Sequence, residues 1–252
     1  LLLITSFFIP AVLFIKEKSK YFFISIFVIL IFSNYFYGSY KINSQSKDYS
    51  EKKINFKIVS AGISLSEFKD QRLVISKLIK LSEPIKNEKT IFVWPEGVIL
   101  NEDFNKIEEI KKLFRENFSE NHLILLGANT KKIYNGNENY YNSLIIVDRD
   151  LKIINQYDKQ KLVPFGEFLP FEKFLNQFGL KKITEGHGSF LSGNAQENLL
   201  IDKLNILPLI CYEIIFTKFI QQSDKDTNLI VNISEDGWFG NSIGPYQHYA
   251  HS

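Results

Sequence analysis

The chain has 252 residues, 45% of them hydrophobic and 15% aromatic, which is enough for one large domain with a substantial core and a further segment. Its 30 basic and 28 acidic residues nearly cancel, so no overall field points to nucleic acid or to an acidic partner. A single cysteine, Cys211, excludes a disulfide within the chain. Because the chain begins at Leu1 and contains no Met, we expect a fragment of a longer protein.

Two apolar segments, 1–15 and 21–37, open the chain and are separated by a charged break. A helix over 21–37 would be about 26 Å long, close to the ~30 Å hydrocarbon core of a bilayer. The pattern therefore predicts a transmembrane helical hairpin over 1–38. A signal peptide is the rival interpretation, but no basic region precedes Leu1 and no small-residue cleavage site follows Tyr37. A buried hairpin in a globular core is the other alternative.

The short charged break contains Lys16, Lys18 and Lys20, which favours a cytoplasmic loop. The second helix then leaves the membrane on the far side, and the large domain lies outside the cytoplasm. Lysines at 41, 47, 52 and 53 argue mildly against this, yet long domains translocate largely regardless of charge. We expect 39–53 to be a linker and 54–252 to be a catalytic domain that is incomplete at its C-terminus.

Apolar strand-like runs alternate with helix-like periodicity throughout the large domain. Helices are predicted over 64–81 and 103–118. Turns are predicted over 135–142, which is rich in Asn and Gly, and over 148–150. Strands are predicted over 55–61, 90–94, 122–128, 143–147, 151–157, 199–202, 206–210 and 228–233. This alternation predicts a layered α/β fold.

Three predicted strands end near a reactive side chain: Glu96, Lys159 and Cys211. Ligands gather at the carboxyl ends of strands in α/β sheets, so these side chains can share one pocket. A thiol nucleophile needs a base, which Glu96 can supply, and a positive charge such as Lys159 favours the thiolate and an oxyanion. The backbone N–H of Tyr212 is a natural second oxyanion donor. Each residue also has a plain alternative: buried filler for the cysteine, and solvated surface groups for the other two.

Two loops support a site at these strand ends. The segment 162–170 is apolar and rigid, and its carboxylate, Glu167, lies between Phe165 and Phe168. A buried carboxylate needs partners. The segment 236–245 is Gly-punctuated and carries Trp238, a composition suited to lining an apolar pocket, although a packed structural loop is the alternative.

Four motifs in this order resemble the nitrilase (carbon–nitrogen hydrolase) superfamily, and within it the membrane-bound branch of apolipoprotein N-acyltransferases. They are Trp-Pro-Glu at 94–96, Tyr-Asp-Lys at 157–159, Val-Pro-Phe-Gly-Glu at 163–167 and Ile-Cys-Tyr-Glu at 210–213. The resemblance covers 54–252 and implies a nitrilase-like αββα sandwich preceded by transmembrane helices. It further implies Glu96 as general base, Lys159 as oxyanion stabiliser and Cys211 as nucleophile. Supporting positions are then Glu167, Tyr212 and Glu213, with Phe165 and Trp238 lining the site.

The reaction implied by the resemblance is acyl transfer through a thioester of Cys211. The donor is a membrane phospholipid, and the acceptor is the N-terminal amine of diacylglyceryl-cysteine on a lipoprotein. We expect no metal, no cofactor and no nucleic acid partner, and we expect a location in the bacterial inner membrane with the catalytic domain on the periplasmic side. The rival interpretations are a membrane-tethered amidase that uses water as acceptor and a non-catalytic membrane-anchored binding module.

Overall fold

The computed structural model describes residues 17–44, 54–63, 67, 70–100, 108–134, 136–170, 189–194, 197–221, 224–235, 237 and 242–251. The chain divides into two compact units, 1–53 and 54–252. Each unit is described by itself below.

The described part of the first unit is one helix, α1, over Glu17–Ser44. It exposes many aromatic and aliphatic side chains, among them Tyr21, Ile29 and Phe36. The helix continues beyond residue 38, where we predicted the linker to begin. Among the described residues, no helix combines the length and the apolarity that crossing a membrane requires. The predicted crossing over 21–37 is therefore not confirmed, and the predicted crossing over 1–15 lies outside the described residues.

A five-stranded mixed sheet forms the centre of the second unit, in the order β1-β2-β3-β4-β5. The first three strands are parallel and the last two pairings are antiparallel. Helices α2 over Gln71–Ser82 and α3 over Glu108–Asn117 lie in the two parallel connections. The strands are β1 Asn55–Ile58, β2 Thr90–Val93, β3 His122–Tyr134, β4 Asn137–Val147 and β5 Ile153–Asp158.

A second sheet of three strands comprises β6 over Leu199–Ile201, β7 over Leu204–Ile210 and β8 over Leu229–Ile233. Strand β7 pairs antiparallel with β6 and parallel with β8. A 3₁₀ helix over Cys211–Ile215 follows β7 directly, and two short helices complete the described part: α4 over Thr217–Gln221 and α5 over Gly244–His251.

The core confirms the layered α/β order. Helices α2 and α3 pack on one face of the first sheet, where residues such as Leu78 and Phe114 meet Phe92 and Trp94. The other face packs against the second sheet through a separate apolar cluster. Phe219 of α4 packs against Leu207 and Leu209 of β7, in a third cluster. The helices bury one face each, whereas the central strands bury both: in β2, Phe92 lies in the helix-side cluster, and Ile91 and Val93 lie in the cluster between the sheets. Successive side chains of a strand point to opposite faces, so both apolar faces stabilise the stack.

The stretch that we predicted as a turn, 135–142, is mostly strand. Strand β4 begins at Asn137 and pairs without interruption with β3 from Tyr134↔Asn137 to Ile124↔Val147. The distal part of the hairpin is largely exposed, so its strands can carry polar residues. The composition of this stretch is therefore typical of a turn, although its backbone pairs with β3. Asn142 therefore lies inside a strand, where our prediction placed a turn. The predicted turn at 148–150 is confirmed, and Leu151 N–H closes it onto the Asp148 carbonyl at 3.0 Å.

Candidate active site

The ends of strands from both sheets bring the three predicted reactive residues to one side of the fold. Glu96 lies three residues after β2, and Lys159 and Cys211 directly follow β5 and β7. All three are buried, with exposed fractions of 7%, 1% and 6%. An ammonium group that is only 1% exposed needs anionic partners, so the plain alternative of a surface lysine does not hold for Lys159.

The backbone of Glu96 rests directly on strand β3. Trp94 N–H donates to the Leu125 carbonyl at 2.8 Å, and Gly127 N–H donates to the Pro95 carbonyl at 3.0 Å. A Cβ atom on Gly127 would lie 2.4 Å from Glu96 Cα and 2.4 Å from the Gly97 nitrogen. Gly97 itself has φ +67°, which L side chains rarely adopt. The position of the Glu96 carboxylate therefore depends on two glycines.

We expect Gly127→Ala to lower the free energy of unfolding by about 1–3 kcal/mol, because two backbone segments must separate to admit one methyl group. Urea denaturation followed by circular dichroism measures the change. Gly166→Ala is the matched control, since its new Cβ would meet Val163 Cγ1 at an ordinary 3.5 Å. Equal stability of the two variants would contradict the close approach at Gly127.

Two carboxylates and two donors form a compact buried cluster. Lys159 Nζ lies 3.3 Å from Glu96 Oε1 and 2.9 Å from Glu167 Oε1. Asn142 Nδ2 donates to the same two oxygens, at 2.7 and 2.6 Å. Glu167 Oε2 accepts from Val163 N–H at 2.8 Å, which ties the apolar 162–170 loop to the cluster. One positive charge thus faces two negative charges, and the Asn142 amide and the Val163 N–H donate further hydrogen bonds to the two carboxylates.

The charges of this cluster act on the thiol. Burial, followed by the Glu96 carboxylate, raises the pKa of Cys211 from its ordinary value to about 12. The Lys159 ammonium, the Ser234 side chain and the backbone N–H of Tyr212 lower it in part. Burial alone would lower the pKa of Lys159, but Glu96 and Glu167 raise it above its ordinary range. At neutral pH the resting cysteine is a thiol beside a carboxylate, so its activation requires proton transfer.

Glu213 anchors the turn that carries the cysteine. Its fully buried carboxylate accepts from Ile210 N–H at 2.9 Å, and from Gln160 N–H at 2.8 Å and Lys161 N–H at 3.0 Å. The Tyr157 hydroxyl donates to it at 3.0 Å. Burial raises the pKa of Glu213, and the three backbone N–H groups oppose that rise. The carboxylate thus joins the end of β7 to the segment after Lys159.

The remaining predicted residues occupy different surroundings. Tyr212 is partly buried against the cluster between the sheets. Phe165 has φ +63° and a side chain that is 46% exposed, and its N–H donates to the Phe168 carbonyl at 2.8 Å. Trp238 lies outside the described residues.

Three residues of the site were not predicted from the sequence: Asn142, Tyr157 as a partner of Glu213, and Ser234. A signal for Asn142 was available, because it directly precedes the buried run 143–147, just as Glu96 and Lys159 adjoin buried strands.

The fold is a mixed α/β fold of the nitrilase-like class, with a Glu-Lys-Cys group at its strand ends. The chain belongs to the carbon-nitrogen hydrolase family, which it matches over residues 64–252. It is 35% identical over 190 residues to the apolipoprotein N-acyltransferase of Brucella suis, covering 71% of this chain and 35% of that protein. The enzyme of the same name from Rhodopseudomonas palustris is 47% identical over 109 residues, which are 43% of this chain and 20% of that protein.

A solved structure, the carbon-nitrogen hydrolase from Helicobacter pylori, is 14% identical with a TM-score of 0.47, covering 79% of this chain and 66% of that one. The matched part of the chain spans about a third of the length of the Brucella suis relative and a fifth of that of the Rhodopseudomonas palustris relative.

Proposed function

We propose that this chain carries the catalytic domain of an N-acyltransferase that acylates the N-terminal amine of a lipoprotein. The observation that carries the proposal is the buried group in which Lys159 contacts both Glu96 and Glu167 while its charge and that of Glu96 act on the Cys211 thiol. Support for the substrate class comes from the relatives named apolipoprotein N-acyltransferase.

In the first half of the proposed reaction, Glu96 takes the proton of Cys211 as the sulfur attacks the carbonyl carbon of a phospholipid ester. Lys159 and the Tyr212 N–H stabilise the resulting oxyanion. The intermediate collapses as the C–O bond breaks, and Glu96 returns the proton to the departing lysophospholipid oxygen. A thioester of Cys211 and a neutral alcohol are the products. Because burial raises the pKa of the Cys211 thiol above its ordinary value, attack at neutral pH requires a base.

In the second half, the neutral α-amine of a diacylglyceryl-cysteine attacks the thioester. Glu96 accepts a proton from the attacking nitrogen, and the same two donors stabilise the oxyanion. The C–S bond then breaks and the sulfur recovers the proton from Glu96. The product is an amide, and the enzyme returns to its resting state. Water would hydrolyse the thioester, so the site must exclude water. The 162–170 loop is apolar and is linked to the cluster through Glu167, which suits it to that role.

The proposal places the domain at the bacterial inner membrane, on its periplasmic side. Residues 1–38 serve as the membrane segment, 39–53 as the connection and 54–252 as the catalytic domain. The exposed apolar side chains of α1 and the lysines at 16, 18 and 20 support this arrangement. A phospholipid donor and a lipid-anchored acceptor both require a site at a membrane surface.

The test uses the protein expressed from its complete gene and placed in proteoliposomes whose phospholipid carries a labelled acyl chain. Adding a diacylglyceryl-cysteine peptide should give the N-acylated peptide and one equivalent of lysophospholipid. Without peptide, labelled protein should accumulate while little free fatty acid appears. Rapid release of free acid in the absence of peptide would instead indicate a hydrolase of the amidase type and overturn the proposal.

A further inference from the structure

Asn142 connects the two carboxylates of the candidate site. It lies in strand β4, is 6% exposed, and its side-chain nitrogen donates to Glu96 Oε1 at 2.7 Å and to Glu167 Oε1 at 2.6 Å. Its backbone carbonyl accepts from the Lys159 N–H at 2.8 Å. One residue therefore contacts Glu96, Glu167 and Lys159.

The other end of the same amide argues against a purely structural role. Asn142 Oδ1 is buried and has no hydrogen-bond partner among the described residues. A buried acceptor without a partner costs about 1–3 kcal/mol. If this side chain served only for packing, an apolar residue of similar volume could replace it without loss of stability. The asparagine is therefore explained by the two hydrogen bonds that Nδ2 donates.

The hydrogen bonds divide the two oxygens of Glu96 into distinct roles. Oε1 accepts from both Asn142 and Lys159, whereas Oε2 accepts no hydrogen bond from any residue in the described part of the chain. Glu167 has no such division, because its Oε2 also accepts, from Val163 N–H. Of these two carboxylates, Glu96 is thus the one that keeps an oxygen available for a proton from the thiol.

We propose that Asn142 is a positioning residue that, together with Lys159, holds Glu96 by Oε1 and leaves Oε2 as the atom that exchanges a proton with Cys211. The inference rests on the proposed role of Glu96 as base. A neutral donor fits this role because it stabilises the Glu96 anion without a second positive charge, which would make the carboxylate too weak a base. Its two hydrogen bonds also offset the repulsion between two carboxylates that share a single lysine.

The experiment measures the pH dependence of kcat/KM for release of p-nitrophenolate from a short p-nitrophenyl ester, which reports formation of the Cys211 thioester and needs neither phospholipid nor lipoprotein. The acidic limb of this profile reports protonation of the base in the free enzyme. Asn142→Asp replaces the donor by an oxygen at constant shape, and Asn142→Leu removes it. Asn142→Leu should move the acidic limb to higher pH by about one unit, because losing a hydrogen bond to an anion favours its protonated form. Asn142→Asp should move the limb at least as far, because it also places a third carboxyl group beside Glu96.

The groups that face Glu96 in this experiment are Lys159, Glu167 and Cys211, which Asn142→Leu leaves unchanged, whereas Asn142→Asp adds a fourth titratable group. Asn137→Asp and Asn137→Leu, at the exposed start of the same strand, are the matched controls and should keep the limb of the unmodified protein. The pH at which the acidic limb lies does not depend on the amount of folded protein. The measurement therefore remains valid if part of either Asn142 variant is unfolded.

An acidic limb that stays in place in Asn142→Leu, even with a lower kcat, would overturn the inference. Glu96→Gln separates this failure from failure of the proposed function. If Glu96→Gln loses the limb and about 10²-fold or more in kcat/KM while the Asn142 variants leave the limb unmoved, Glu96 is the base and only the inference fails. If Glu96→Gln retains both limb and rate, the base assignment fails, and the inference with it.

Discussion

Cys211→Ser is expected to abolish the labelled acyl-enzyme and to reduce acyl transfer by about 10⁴-fold or more, the scale seen when a nucleophile is removed from an enzyme. A hydroxyl is a far weaker nucleophile than a thiol that can lose its proton to Glu96, and an ester of serine would return its acyl chain to an amine much more slowly. Intact-protein mass spectrometry after incubation with the acyl donor measures the adduct directly.

The same substitution should change the free energy of unfolding by about 1 kcal/mol at most, because one small buried atom replaces another of similar shape. The turn that carries Cys211, which has φ +55°, is anchored by the hydrogen bonds of the Glu213 carboxylate, and the substitution leaves these unchanged. Equal melting temperatures for the two proteins therefore serve as the control. A persistent acyl adduct of undiminished yield in Cys211→Ser would place the acyl carrier elsewhere.

Lys159→Met is expected to lower the free energy of unfolding by about 3–5 kcal/mol at pH 8, the cost of breaking a buried ion pair by removing one partner. Methionine fills a similar volume, so the loss arises from leaving the Glu96 and Glu167 carboxylates buried without their cation. Lys132→Met is the matched control, because its partner Asp158 forms an ion pair in which the lysine is about half exposed. The control should lose less than about 1 kcal/mol.

The loss in Lys159→Met should be smaller at pH 5 than at pH 8. In the folded variant, an unpaired buried carboxylate prefers its neutral form, so the folded state binds more protons than the unfolded state and gains stability as the pH falls. Urea titrations at the two pH values measure this difference. An equal loss of stability at the two pH values would mean that solvent stabilises the two carboxylates, which would contradict their burial in the cluster.

The predicted strands 90–94, 151–157 and 206–210 end within one residue of β2, β5 and β7, which is why Glu96, Lys159 and Cys211 could be chosen in advance. Each follows a buried apolar strand, and such runs differ visibly from the polar residues after them. The hairpin β3–β4 shows the opposite case. Its distal residues pair on an exposed part of the sheet, so they need no apolar side chains, and their composition predicted a turn where Asn142 lies in a strand.

The sequence by itself determined the order of the elements, the layered α/β class, the resemblance to carbon–nitrogen hydrolases and the three residues on which the proposed chemistry depends. These follow from local patterns: periodicity sets strand or helix, and residue type sets reactivity. Only the tertiary structure decided how those residues meet. Lys159 contacts a carboxylate 63 positions away, and the two charges that act in opposite directions on the pKa of Cys211, those of Glu96 and Lys159, follow separate strands of the first sheet, whereas Cys211 follows a strand of the second. Distances of that kind depend on strand pairing and on packing between the sheets, which no local pattern encodes.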